Sequence, residues 1–412
     1  MGDVYTAIDM GTDSIKVVVM EKKGKEFLTL ASTSVKSSGI RECFVTDTKA
    51  AVNSVKNAIK RINDKLGIRV SKVIACVPPI NCKMRIFSGS WDVIDYEEIT
   101  GEDVRCVLKD ALVDRIGDDE EVVTVSPIEF VVDEVGGIRD PKGMPGKVLE
   151  TKIVVATMDK EALYRILEVL RLSGLETVDI GFSSTGDYYA IKTKKTDELV
   201  GAIINIGEVS SNISIFNKGI QIKNSLVPIG SLNVDRDLSY VFKIGDVDAR
   251  RIKESFAVSM SSYADRNDVM EATNVDGEKI EINQVGASKI VEGRLREILK
   301  FAKNEIKNLT KREIRYIIVT GGLSEILGFQ YLIDEEFGVG AKICNISTMG
   351  IRNNKFSSSY GLIKYFDDKL LLRGKSYDMI NNDDKSSLMN IGQKVATNDN
   401  IINKLFGHFF DN

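Results

Sequence analysis

The sequence predicts a two-lobed, duplicated α/β fold with a small α+β unit inserted into the first lobe. Three observations carry this. The apolar run Val4–Ile8 ends in Asp9, and a glycine turn bearing hydroxyls follows. A β-branched run, Ile15–Val19, a charged turn, Glu21–Lys25, and a third strand-like run, Glu26–Val35, complete a meander. Residues 200–227 repeat the pattern: an apolar strand ends at Asn205, a turn from Gly207 to Ser211 follows, and an alternating strand leads to Asn-Lys-Gly. A third glycine turn, Gly321-Gly322, closes the apolar strand Tyr316–Thr320 and is followed by helical sequence.

The first turn, Asp9-Met-Gly11-Thr12-Asp-Ser14-Ile-Lys16, does not match the common phosphate loops, which place a helix directly after their glycines. A strand follows here, so backbone N–H groups of the turn would cradle an anion, with the Thr12 or Ser14 hydroxyl and Lys16 nearby. Asp9 is positioned to hold Mg²⁺ through water, since hard cations prefer oxygen. The competing reading is a hairpin whose Asp and Gly serve only the turn. A second copy far along the chain favours a ligand held between two halves.

Composition narrows the function. At 412 residues, 43% of them apolar, the chain can bury more than one core, and a net charge of −4 argues against a nucleic-acid partner. Cys43, Cys76, Cys82, Cys106 and Cys344 form no C-x-x-C pair and the one histidine is His408, so a zinc cage has little to draw on. No secretory leader and no membrane-spanning run is expected.

In chain order, Thr48 to Leu66 reads as an amphipathic helix and Val73–Val77 as a buried strand stopped by Pro78-Pro79. The inserted unit should carry strand Arg85–Trp91, helix Gly101–Leu112, extended runs Val122–Val132 and Gly146–Ala156, and a Gly/Pro-rich loop between those runs. Asp159–Leu172 reads as a helix, Leu175–Ile180 as a strand and Ser183–Lys192 as a helix crossing between the halves. A sugar kinase would need a carboxylate as base, and Asp179 and Asp187 are the candidates in this region. Asp187 is read instead as part of a helix start capped by Ser183 or Ser184. Gly230 to Thr310 is expected to be mostly helical. The last residues place Ile401, Ile402, Leu405, Phe406 and Phe409 on one helical stripe behind a polar linker, which suggests a membrane-surface anchor with only Lys404 as an assured cation. Docking of that stripe on a partner or on the chain's own body is the alternative.

These motifs resemble those of the actin-like ATPase superfamily, whose fold is a ribonuclease H-like duplication. Asp9-x-Gly11-Thr12-x-x-x-Lys16 looks like its first phosphate motif, Asn205-x-Gly207 with Ser210 like the second, and Thr320-Gly321-Gly322-Leu323 like the adenosine motif. Asp246–Glu254 resembles the helix along the adenine, which would bring Arg251 and Lys253 to the base or ribose; a solvated helix face is the plainer reading. Two departures stand out: Asn205 where the superfamily usually has Asp, and Leu323 where it usually has a third glycine. Over nearly the whole chain the similarity is greatest to the bacterial cell-division family FtsA. That resemblance implies core subdomains at 1–82 with 156–198 and at 199–230 with 311–366. It also implies an interaction insert at 83–155, an outer helical unit at 231–310, a linker at 367–399 and a membrane tail at 400–412. It further implies ATP with Mg²⁺ as cofactors, self-assembly into filaments, and a place at the inner face of the cytoplasmic membrane at the division site; Asn205, lacking the charge of the usual Asp, leads to the expectation of slow or absent hydrolysis. Expected partners are the C-terminal peptide of FtsZ, received near Arg294 and Arg296, and other divisome proteins. The alternatives are a small-molecule kinase of the same fold and an actin-like assembly platform for another envelope machine such as type IV pili.

Overall fold

The structure, a computed structural model, describes residues 2–388. The aromatic and aliphatic stripe from Ile401 to Phe409 therefore lies outside the described residues.

The chain opens with a meander, β1 (Asp3–Met10), β2 (Ser14–Lys23) and β3 (Glu26–Lys36), followed by a tight hairpin, β4 (Ile40–Arg41) and β5 (Phe44–Val45). Helix α1 (Thr48–Leu66) starts where the Asp47 carboxylate accepts from the Ala50 N–H and stops at Gly67 in the left-handed region. Strand β6 (Lys72–Val77) then pairs in parallel with β1. The inserted unit consists of β7 (Lys83–Asp92), α2 (Gly101–Asp110), β8 (Glu120–Val132), β9 (Val135–Ile138) and β10 (Val148–Asp159), its four strands ordered β7-β10-β8-β9. The expected Gly-rich loop hides β9, a short edge strand paired with β8. The chain returns through α3 (Lys160–Leu172) to β11 (Glu176–Phe182), which pairs in parallel with β6.

Helix α4 (Ser183–Ile191) leads into the second meander, β12 (Val200–Ile206), β13 (Ser211–Asn217) and β14 (Ile220–Val227). Helices α5 (Ser231–Phe242) and α6 (Asp246–Ser255) follow, then a hairpin, β15 (Val269–Thr273) and β16 (Lys279–Asn283), and the long α7 (Gln284–Leu309). The hairpin departs from the helical expectation for this region. Asp276-Gly277 makes its turn, and Ala272 and Ile282 are buried while Glu271 and Glu281 face out, which is strand periodicity. Strand β17 (Tyr316–Thr320), α8 (Phe329–Phe337), β18 (Ala341–Ile343) and α9 (Ser357–Leu372) complete the described elements.

The duplication is explicit in the sheets. One runs β11-β6-β1-β2-β3 and the other β18-β17-β12-β13-β14, each a meander extended by two parallel strands. In the first sheet, Ile8, Val17 and Val19 pack with α1 and α3 on one face, while Tyr5, Ala7, Val18 and Met20 pack with α9 on the other. Burial on both faces explains the nearly unbroken apolar runs. Helices α4 and α9 cross between the sheets at a glycine contact. A Cβ on Gly361 would stand 1.8 Å from the Gly186 carbonyl oxygen, and one on Gly186 2.1 Å from that of Ser358.

Residues 367–388, expected to belong to the linker, pack on the body instead. Helix α9 continues to Leu372, and Met379 is buried, its N–H donating to the Val4 carbonyl at 3.1 Å. Tyr377 packs edge-on against Phe366, and Ile380 and Leu388 join the first core. Scattered apolar residues in a polar stretch were enough to dock it.

Candidate ligand site between the two hairpin turns

The turns β1–β2 and β12–β13 face one cavity of about 590 Å³, within the range of small-molecule sites. Each turn is closed by the same bond: the Gly11 N–H donates to the Ser14 carbonyl at 3.1 Å, and the Gly207 N–H to the Ser210 carbonyl at 3.0 Å. Those two N–H groups are thus engaged inside their turns, and other groups must meet a ligand.

Asp9, Lys16, Asn205 and Gly207 line the cavity from the two hairpins, and Gly321, Gly322 and Leu323 from the turn after β17. Register places Asp9 directly opposite Lys16, and their side chains pair at 3.0 Å. Burial works against the Lys16 charge, but the Asp9 carboxylate outweighs it and raises the ammonium pKa. Gly321 sits at φ +94, and a Cβ there would stand 2.4 Å from the Ile206 carbonyl oxygen, so the backbone approach requires glycine.

Gly11, Thr12 and Ser210, expected at the ligand, are not on the cavity wall. The Thr12 hydroxyl accepts from the Cys43 N–H at 3.1 Å, and both hydroxyls meet the Cys43 thiol, whose pKa burial pushes up. The β4–β5 turn thus draws the two hydroxyls to itself.

Helix α6 also corrects the expectation. Arg251 turns away, donating to the Glu271 carbonyl at 2.5 Å and pairing with Asp248 at 3.0 Å. Arg250 lines the cavity in its place and reaches across it to Asp13 at 2.5 Å. Burial would raise the Asp13 carboxyl, but Arg250 holds it below its ordinary value. Helical spacing explains the swap, since positions 250 and 253 share a face and 251 lies about 100° away. Lys253 is on the wall as expected, yet buried and paired with Asp235 at 2.8 Å.

Sequence reasoning also placed Asp187 wrongly. Helix α4 starts with no side-chain cap, and Asp187 is 1% exposed inside it. It accepts from Ser357 Oγ at 2.6 Å, Ser358 Oγ at 2.7 Å and Asn205 Nδ2 at 2.7 Å. Burial raises its pKa to about 6 against the pull of these donors. The one available signal was a single carboxylate in a helix with no other charged residue.

Two family models match the chain: "SHS2 domain inserted in FTSA" over residues 81–157 and "Cell division protein FtsA" over residues 202–361. Together they span more than half of it. The chain belongs to the FtsA family. Among similar proteins, Cell division protein FtsA of Streptococcus pneumoniae serotype 2 is 28% identical over 364 residues, covering 88% of this chain and 79% of the relative. That of Bacillus subtilis is 26% identical over 366 residues, covering 88% and 83%. Among solved structures, a PilM-PilN type IV pilus biogenesis complex aligns with TM-score 0.60 at 14% identity, covering 88% of this chain and 98% of that one. MreB5 of Spiroplasma citri bound to ADP aligns with TM-score 0.55 at 12% identity, covering 90% and 98%. At such identities the structural likeness speaks for the actin-like fold alone.

The segment of this FtsA-family chain expected to receive a partner lies on α7. Arg294 pairs with Asp237 through two bonds, 2.6 and 2.8 Å, and also with Glu297. Arg296 bonds Glu292 at 2.8 Å and Glu335 at 2.8 Å. The two side chains are 25% and 29% exposed, and both guanidinium groups are already engaged. Among the described residues no helix is long and apolar enough to cross a membrane.

Proposed function

We propose that this FtsA-family protein binds ATP with Mg²⁺ in the cavity between its two hairpin turns, polymerises on the cytoplasmic face of the membrane, tethers FtsZ filaments there and recruits later divisome proteins. The observation that carries the nucleotide part is the convergence of Asp9, Lys16, Asn205 and Gly321 on one cavity from three separate turns. Lys16 would meet phosphate oxygens, Asp9 a water of the metal, and the Gly321-Gly322 backbone the adenosine. Bound Mg²⁺ neutralises phosphate charge. Asn205 carries no charge with which to activate an attacking water, so ATP serves mainly as a structural ligand between the lobes, with slow or absent turnover.

Arg294 and Arg296 would take the acidic FtsZ peptide by exchanging partners, since their present carboxylates occupy the forks a peptide would need. The stripe Ile401, Ile402, Leu405, Phe406 and Phe409 would anchor the chain to lipid. The decisive experiment is calorimetry of the full chain with ATP and Mg²⁺, joined to liposome sedimentation with FtsZ. No ATP binding at millimolar nucleotide removes the first part. Equal pelleting of the intact chain and of one with Phe406 and Phe409 replaced by Glu removes the second.

A further inference from the structure

Asp187 lies behind the cavity wall, yet it touches two residues that form the wall, Asn205 and Ser358. An ionised carboxylate only accepts, so the Asn205 side chain can offer it nothing but the NH₂ end. The amide orientation is therefore fixed by chemistry. Its Oδ1 must point the other way, and it stands 2.7 Å from where a Cβ would sit on Gly321, which is itself on the wall. Among the described residues that oxygen takes no hydrogen bond, and it is not among the buried orphaned atoms, so it is an open acceptor facing the cavity.

The partners of Asp187 are equally informative. A buried carboxylate ordinarily has a cation beside it. Here the three close donors, Ser357, Ser358 and Asn205, are all neutral, and among the described residues no Lys or Arg forms an ion pair with it. The network extends to Thr320 at the end of β17, whose hydroxyl meets Ser357 Oγ at 3.0 Å. One carboxylate thus ties α4, α9, β12 and β17 together directly under the cavity.

We propose that Asp187 is a positioning residue for the metal–nucleotide: it locks the Asn205 amide with its carbonyl oxygen toward a water of the bound cation. From behind the wall, it supplies the negative charge that position 205 lacks. This rests on the ATP·Mg²⁺ reading above. In a poorly hydrated floor the Asp187 charge attracts the cation without touching it, and the unpaired carboxylate gains the positive neighbour it is missing.

The test is calorimetry of ATP binding to the full chain, once with Mg²⁺ and once in EDTA. Wild type is compared with Asp187→Asn and with the exchange variant carrying Asp187→Asn together with Asn205→Asp. Thermal unfolding checks that each is folded. Asp187→Asn is isosteric and lets the 205 amide turn over. It should weaken ATP binding about tenfold with Mg²⁺, in line with losses on removing partners behind a metal site, and leave binding in EDTA nearly unchanged. The exchange variant should recover most of the loss, because the charge returns on the other side of the same hydrogen bond. Equal affinity of wild type and Asp187→Asn with Mg²⁺ overturns the inference while leaving the ATP reading intact. So does an equal loss in both buffers, the signature of a purely structural role. A wild type that binds ATP in neither buffer ends both.

Discussion

The two hairpin turns are the same object twice, and they handle charge in opposite ways. Each has a glycine N–H bonded to the carbonyl three residues on, and each sets its strand-end side chain opposite the residue seven positions later. In the first turn these are Asp9 and Lys16, an ion pair completed within one hairpin. In the second they are Asn205 and Asn212, both neutral, and Asn212 is buried and bonded to Ser214 at 3.1 Å. The carboxylate under the second turn comes instead from Asp187, on a helix outside the hairpin. Backbone geometry is thus copied by the local sequence, whereas the electrostatics of one copy belong to the hairpin and those of the other to the tertiary fold.

If the second turn depends on the helix crossing, breaking that crossing should have the largest effect. Gly361→Ala drives a methyl into the Gly186 carbonyl and should cost about 3 kcal/mol or more in urea unfolding, because backbone must move. A cost below about 1 kcal/mol would mean that α4 and α9 can separate without penalty.

The two turns should next part company with pH. The Asp187 pKa is about 6 in the folded protein against an ordinary 3.8, so the folded state holds this proton more tightly than the unfolded chain does. Its contribution is most favourable below pH 4, declines as pH rises toward 6, and is level above that. The expected loss is about 2–3 kcal/mol, read as the stability difference between wild type and Asp187→Asn from pH 4 to 7. Lys16 has the same sign in a different window: its pKa is also raised in the fold, so its contribution is complete at neutral pH and fades only as pH rises above its ordinary 10.5. A wild type and Asp187→Asn with parallel stability curves across pH 4 to 7 would abolish the contrast.

Removing the charge at the first turn comes third. Lys16→Met keeps the stem but loses the ammonium, leaving Asp9 uncompensated beside incoming phosphate. ATP affinity should fall about tenfold, roughly 1.4 kcal/mol, in calorimetry. The smallest effect concerns α6. Arg250→Ala loosens a partly exposed bridge to Asp13 and should change ATP affinity only a few fold, within about 1 kcal/mol. Arg251→Ala, which faces β15, should change nothing measurable; a larger effect at Arg251 than at Arg250 would reverse the assignment of the helix face.

Much of the molecule was legible in the chain because it is encoded at short range. Helix α1 follows from its apolar stripe and its Asp47 and Gly67 ends, and the meanders from alternation and glycine turns. The hairpin β15–β16 was legible too, through Asp276-Gly277 between alternating runs, but the surrounding helical sequence masked it. Strand β9 was hidden for the opposite reason, since its two glycines speak for a loop and only pairing with β8 makes it a strand.

The sequence by itself determined the duplicated strand–turn–strand units, the Asp9–Lys16 pairing that hairpin register enforces, and the glycine turn at Gly321. Tertiary structure alone decided which face of α6 meets the cavity, the diversion of Thr12 and Ser210 to Cys43, and the docking of Met379 on β1. It alone decided, too, that Asp187 stands under Asn205. A hairpin brings residues seven apart together whatever surrounds them. Asp187 and Ser358 are separated by 171 positions and meet only because two glycine-bearing helices can cross closely enough to bury a carboxylate among hydroxyls.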